Sequence, residues 1–111
     1  MLLPNIAKAS IDRKKLADYV LNAGHPEGRH KARVFGLTAA DAEWLADRIS
    51  AGLWQSEAVL QSTTNWGPIY RVDMDIVRGQ RCAKVRTGWL CAAEAARLVT
   101  CYVIGECDEI A

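Results

Sequence analysis

The 111-residue sequence predicts an α+β fold, with N-terminal helices packed on one face of a four-stranded antiparallel sheet. Three observations predict it. Apolar residues recur at helical spacing as far as Leu53. After Trp54 the apolar period shortens to two, which is the period of a strand with one buried face. Turn formers then punctuate the alternating runs, so the strands follow one another as a meander. Helices first and strands afterwards is the pattern of helices segregated on one face of a sheet.

Residues 1–11 read as an extended lead-in. Pro4 disfavours helix before it, and residues 6–11 suit either a short strand or a brace across the core. Asp12 is placed to cap a first helix, because its carboxylate can accept from the free N–H groups of the first turn. Leu16 and Val20 form the apolar stripe of that helix, with Ala17 and Leu21 beside them. Asn22 to Gly28 is a break rich in turn residues. Arg29 to Phe35 suits a second, short helix, with Gly36 past its end. Thr38 caps a third, with Asp41 in the capping-box position. Ala42, Leu45, Ile49 and Leu53 make its buried face, with Trp44 at the edge.

Strands are predicted at 57–63, 69–77, 81–91 and 97–104. Asn65 to Pro68 and Arg78 to Gln80 supply the first two turns. Residues 92–96 are expected to make a connection or a single helical turn. The last strand is apolar on both faces, which predicts a central place in the sheet. The domain is expected to span 1–104, followed by a fraying acidic tail over 105–111.

A net charge of +1 excludes little, but the distribution is uneven. Lys8, Arg13, Lys14, Lys15, Arg29, Lys31 and Arg33 crowd the first third. The cysteines at 82, 91, 101 and 107 form no CxxC pair and lie far from both histidines, so no metal site and no cofactor is expected. Cys82, Cys91 and Cys101 are expected to act as small buried hydrophobes, consistent with a reducing cytoplasm. The opening Met-Leu-Leu-Pro lacks the charge order of a signal peptide. No apolar run approaches the ~20 residues that span a bilayer. A soluble, cytoplasmic protein with no membrane partner is expected. No serine stands in a motif relation to a histidine, so a serine hydrolase has no support.

Two clusters can carry chemistry. On the strands, the alternation collects Arg71, Asp73, Lys84, Arg86, Thr100 and Tyr102 on the face turned away from the helices. Guanidinium groups grip phosphates bidentately, and a tyrosine can stack on a base. The same residues also suit a solvated face in which Arg71 and Asp73 pair with strand neighbours. Asp73 and Asp75 could hold a divalent ion, but Arg71 beside them favours an ion pair. The second cluster is His25-Pro26-Glu27-Gly28-Arg29-His30-Lys31-Ala32-Arg33. Histidine exchanges protons near neutrality. RNA cleavage without a metal needs a base for the 2′-hydroxyl, an acid for the leaving oxygen and a cation for the phosphorane. His30 with Lys31 or Arg33 can supply these parts. Alternatively, His25 shapes a turn and His30 caps a short helix.

Leu3-Pro4-Asn5, Lys15 to Asn22, His25 to Phe35 and Arg97 to Val103 together resemble the bacterial family DUF6883, over most of residues 3–104. The family name implies no activity. More loosely, helices followed by an antiparallel sheet, with a Thr-x-Tyr near the end of the last strand, are similar to the barnase–EndoU–colicin–RelE class of ribonuclease toxins. That resemblance implies metal-independent RNA cleavage and a cognate antitoxin or immunity protein. It implies His30, Lys31 and Arg86 as acid, base or phosphate-binding groups, and Thr100 and Tyr102 as substrate contacts. His25, Arg33, Arg71 and Lys84 complete the expected substrate-binding set. The leading expectation is therefore a small metal-independent endoribonuclease of toxin type acting on RNA. The alternative is a non-catalytic partner-binding module, such as an antitoxin, immunity or accessory protein.

Overall fold

In the computed structural model, residues 1–16 and 41–107 are described. The expected break at 22–28, the expected helix at 29–35 and Thr38 lie outside the described residues.

The period-two stretch folds as β2 (Ala58–Thr64), β3 (Gly67–Arg78), β4 (Arg81–Ala92) and β5 (Ala95–Glu106), paired antiparallel in sequence. A fifth strand overturns the expected four-stranded antiparallel sheet. The lead-in contributes β1 (Ala9–Ser10), which pairs parallel with β5 at Ala96 and Arg97. The sheet is therefore mixed, in the order β1-β5-β4-β3-β2. The short strand allowed for residues 6–11 is thus present, but two residues are too short to show a period of their own, so the sequence could not show that it joins the sheet in parallel. β4 is the middle strand, and β5 lies inside the sheet between β1 and β4. β5 looked apolar on both faces because register shifts at Gly88/Trp89 and Lys84/Val85 leave Val99 and Ile104 out of its ladder with β4.

The lead-in crosses the sheet. The Ala58 N–H donates to the Met1 carbonyl at the β2 side, and Leu3 is buried in the core. Asn5 takes a left-handed conformation (φ 61°), and its Nδ2 donates to the Ala95 carbonyl at 3.2 Å. A 3-10 turn at Ile6–Lys8 then delivers β1 to the β5 edge. Asp12 caps the next helical turn as its sequence position predicted. Its Oδ1 accepts from the N–H groups of Lys14 (2.9 Å) and Lys15 (3.2 Å).

The long helix α1 (Ala42–Leu53) buries Ala42, Leu45, Ala46, Ile49 and Leu53 on one stripe. It packs against β3. At its start, Arg78 of β3 donates to Asp41 at 3.3 Å and lies 4.9 Å over the Trp44 ring. Near its end, a Cβ on Gly52 would lie 2.7 Å from the Met74 sulfur, so glycine there permits the close approach of helix and strand. Trp89 is fully buried at the centre of the core. Its indole N–H donates to Thr87 Oγ1 at 2.8 Å, and that hydroxyl donates to the Val72 carbonyl at 2.7 Å. The one buried polar side chain among the described residues is thus fully used.

The connection at 92–96 is not a helical turn. Ala93 and Glu94 both have positive φ (52° and 60°) and close a two-residue hairpin between β4 and β5. Fraying does not begin at Gly105, because β5 continues to Glu106 and Cys107 is bonded to Cys82.

Candidate functional site

The outer face of the sheet is built by alternation. Val72, Met74 and Ile76 of β3 point into the core, so Arg71, Asp73 and Asp75 point out. Register extends these residues into three rows across β3, β4 and β5. Arg71 lies beside Gly88 and Thr100, Asp73 beside Arg86 and Tyr102, and Asp75 beside Lys84 and Gly105. The structure therefore brings together five of the expected site residues, namely Arg71, Lys84, Arg86, Thr100 and Tyr102. His25, His30, Lys31 and Arg33 lie outside the described residues.

The middle row carries the strongest interaction. Arg86 grips Asp73 in a fork, Nε to Oδ1 at 2.9 Å and Nη2 to Oδ2 at 3.0 Å. Arg71 Nε stands 3.9 Å from the same carboxylate. The hydrogen bonds that Arg86 donates to Asp73, and a further one with Tyr102, push the Arg86 pKa above the ordinary arginine value. Arg86 is consequently a fixed cation at every working pH. It can hold or stabilise an anion but cannot shuttle a proton. The neighbouring row is a neutral pair, with Lys84 Nζ donating to Asp75 Oδ1 at 3.2 Å.

The ion pairing expected for a solvated face is therefore present, yet it is unequal. Two guanidinium groups share one carboxylate at Asp73, so one positive charge there is uncompensated among these residues. Arg71 and Arg86 are both partly exposed, which leaves donors for a ligand. Gly88 keeps the row beside them flat, and a Cβ at that position would collide with the Thr100 hydroxyl. A cleft of about 530 Å³ opens next to the face, between Gly52, Gln55 and Ser56 at the end of α1 and Asp73, Asp75 and Lys84. That volume suits a small ligand or a single nucleotide.

Cys82, Cys91 and Cys101 are all buried, but Cys82 is not a simple apolar filler. It forms a disulfide with Cys107, with the Cα atoms 5.3 Å apart. The pairing escaped the sequence because the two cysteines lie 25 residues apart. Such a bond persists in oxidising compartments, so the expected cytoplasmic setting calls for its reduced form. Cys91 is a buried free thiol, and burial pushes its pKa up. It is therefore a poor nucleophile. Trp66, in the β2–β3 turn, is 80% exposed. Among the described residues no helix is long and apolar enough to cross a membrane.

The family model described as a domain of unknown function, DUF6883, matches residues 2–105. No curated protein and no solved structure matches the chain.

Proposed function

We propose that this chain, which belongs to the DUF6883 family, is a small metal-independent endoribonuclease of bacterial toxin type. The observation that carries the proposal is the pair of guanidinium groups around Asp73, with Tyr102 on one of them and a nucleotide-sized cleft alongside. An RNA phosphate would dock on Arg71 and Arg86. Tyr102 and Thr100 would contact the sugar or base, and Lys84 would meet a neighbouring phosphate. Arg86 would stabilise the charge that develops on the phosphorane. Proton transfer falls to His30 and Lys31. One takes the 2′-hydroxyl proton as that oxygen attacks phosphorus. The other protonates the departing 5′-oxygen, and a 2′,3′-cyclic phosphate results. A cytoplasmic location and a cognate antitoxin or immunity protein belong to the same proposal.

The test uses the purified chain in both its reduced and its disulfide-bonded form, single-stranded RNA and a chelator in the buffer. Wild type should yield fragments ending in cyclic phosphate. Arg86→Ala and His30→Ala should each lose at least about a hundredfold in rate while keeping the wild-type circular dichroism spectrum. Intact RNA with well-folded wild type would sink the proposal.

A second reading, a non-catalytic partner-binding module, draws on β2. That strand is a sheet edge, free of charged residues and proline, with Val59 and Leu60 exposed at 44% and 54%. Such an edge favours pairing with a strand of another chain. Co-purification of a partner released by Leu60→Lys, from cells in which RNA stays intact, would favour this reading.

A further inference from the structure

The geometry points to a zinc site made of Cys82, Cys107 and Asp75, which forms when the disulfide is reduced. This inference does not rest on the proposed ribonuclease activity. The two sulfurs and a carboxylate oxygen of Asp75 all lie within 4.8 Å of one another. Tetrahedral zinc, with Zn–S near 2.3 Å and Zn–O near 2.1 Å, sets its ligand atoms roughly 3.5–3.8 Å apart. Small side-chain rotations close that gap once the sulfurs part.

The backbone keeps the ligands together without the covalent bond. The Cys107 N–H donates to the Cys82 carbonyl at 3.2 Å, so both residues stay opposite each other after reduction. Asp75 is a diagonal neighbour of Cys82 across the β3–β4 ladder, because Asp75 faces Lys84 and Val77 faces Cys82. Such diagonals lie about 7–8 Å apart at the backbone, within reach of side chains. Lys84 donates to Asp75 Oδ1 at 3.2 Å, which orients the carboxylate as an outer partner and leaves Oδ2 for the metal. Two thiolates and one carboxylate carry three negative charges. Zinc and Lys84 together supply three positive ones. Thiolate ligands select zinc over magnesium or calcium, and the fourth position is left to water.

The redox step balances simply. A phosphine takes one oxygen from water and becomes the phosphine oxide, and the disulfide becomes two thiols. Zinc binding then displaces both thiol protons to solvent.

The test uses the full chain, reduced with a water-soluble phosphine under argon and titrated with cobalt(II) as a coloured substitute for zinc. One equivalent should produce a thiolate-to-cobalt charge-transfer band and the visible bands of tetrahedral cobalt, both abolished by zinc. The oxidised chain should show neither. Cys107→Ser, one residue past the end of β5, should lose most of the charge-transfer intensity. Asp75→Asn should bind at least about tenfold more weakly. Circular dichroism accompanies each sample. Three results would overturn the site: a folded reduced chain without the bands, full bands in both Cys107→Ser and Cys82→Ser, or unchanged affinity in Asp75→Asn. A reduced chain that unfolds and does not refold with zinc overturns it as well.

Discussion

Replacing Asp73 with asparagine removes one negative charge from between two guanidinium groups and leaves the side chain the same size. The fork from Arg86 is lost, as is the looser approach of Arg71. A phosphate docked on the far side of Arg86 would sit about 7 Å from the Asp73 carboxylate, given hydrogen bonds of about 2.9 Å on both sides of the guanidinium. Repulsion at that distance is about 0.6 kcal/mol at the dielectric constant of water and about 2.4 kcal/mol at an effective value of 20. The groups are about one-third exposed, with Arg86 at 30% and Asp73 at 37%, so the effect falls between these limits. Asp73→Asn should therefore bind single-stranded RNA roughly 3- to 50-fold more tightly. The slope of log affinity against log salt should steepen by about 0.7, the value of one further phosphate contact. Cleavage per bound RNA should fall, because Arg86 loses the partner that aims it. Folding stability should drop by only about 0–1 kcal/mol, as befits a partly exposed pair. Fluorescence anisotropy of a labelled RNA, measured across a salt series, reads both quantities. Superimposable curves for wild type and variant would refute the argument that Asp73 holds back an anion site.

Other expectations follow from the core and the strands. Thr87→Val takes the acceptor from the buried Trp89 indole and should cost about 1–3 kcal/mol in urea denaturation, whereas Thr87→Ser should cost less. Gly88→Ala drives a methyl into the Thr100 hydroxyl. It should lower the melting temperature, and adding Thr100→Ala should restore most of the loss. Under oxidising conditions Cys107→Ser opens a cross-link between residues 25 apart, which loop-closure entropy values at about 3.5 kcal/mol. A reductant should bring metal-free wild type down to the variant's stability. Burial raises the Cys91 pKa above the ordinary thiol value of 9.0, so the folded state keeps a proton that the unfolded chain releases. Stability should therefore fall as pH rises past about 9, and less steeply in Cys91→Ala.

The sequence was most legible where one face of an element is wet and the other dry. The alternation of Val72, Met74 and Ile76 with Arg71, Asp73 and Asp75 specified β3 and the outer face together. The stripe of Ala42, Leu45, Ile49 and Leu53 did the same for α1. Asp12 announced its own cap. Features set by register were not legible. Two shifts in the β4–β5 ladder decide that Cys107, rather than a nearer residue, ends up beside Cys82, and no local pattern marks them. The Ala93–Glu94 hairpin was hidden for a related reason. Neither residue is the glycine or asparagine that ordinarily advertises left-handed backbone. For the outer face, alternation could place Arg71, Arg86 and Asp73 side by side. It could not show that one carboxylate is shared between two arginines, because that depends on rotamers.

The lead-in has a consequence for how the protein is made. It runs from the Ala58 side of the sheet to the Ala96 side, over four strand gaps that together span about 19 Å. Synthesis proceeds from the N-terminus, so β5 is the last of the strands to be made. Until it emerges from the ribosome, Ala9 and Ser10 have nothing to pair with, and Asn5 cannot reach the Ala95 carbonyl. The hairpins of β2, β3 and β4 can form early, since their contacts are local. The outer face lacks Thr100 and Tyr102 until the end. A nascent chain therefore carries Arg71 and Arg86 before the strand that completes their surroundings, and that surface is finished only when β1 and β5 meet.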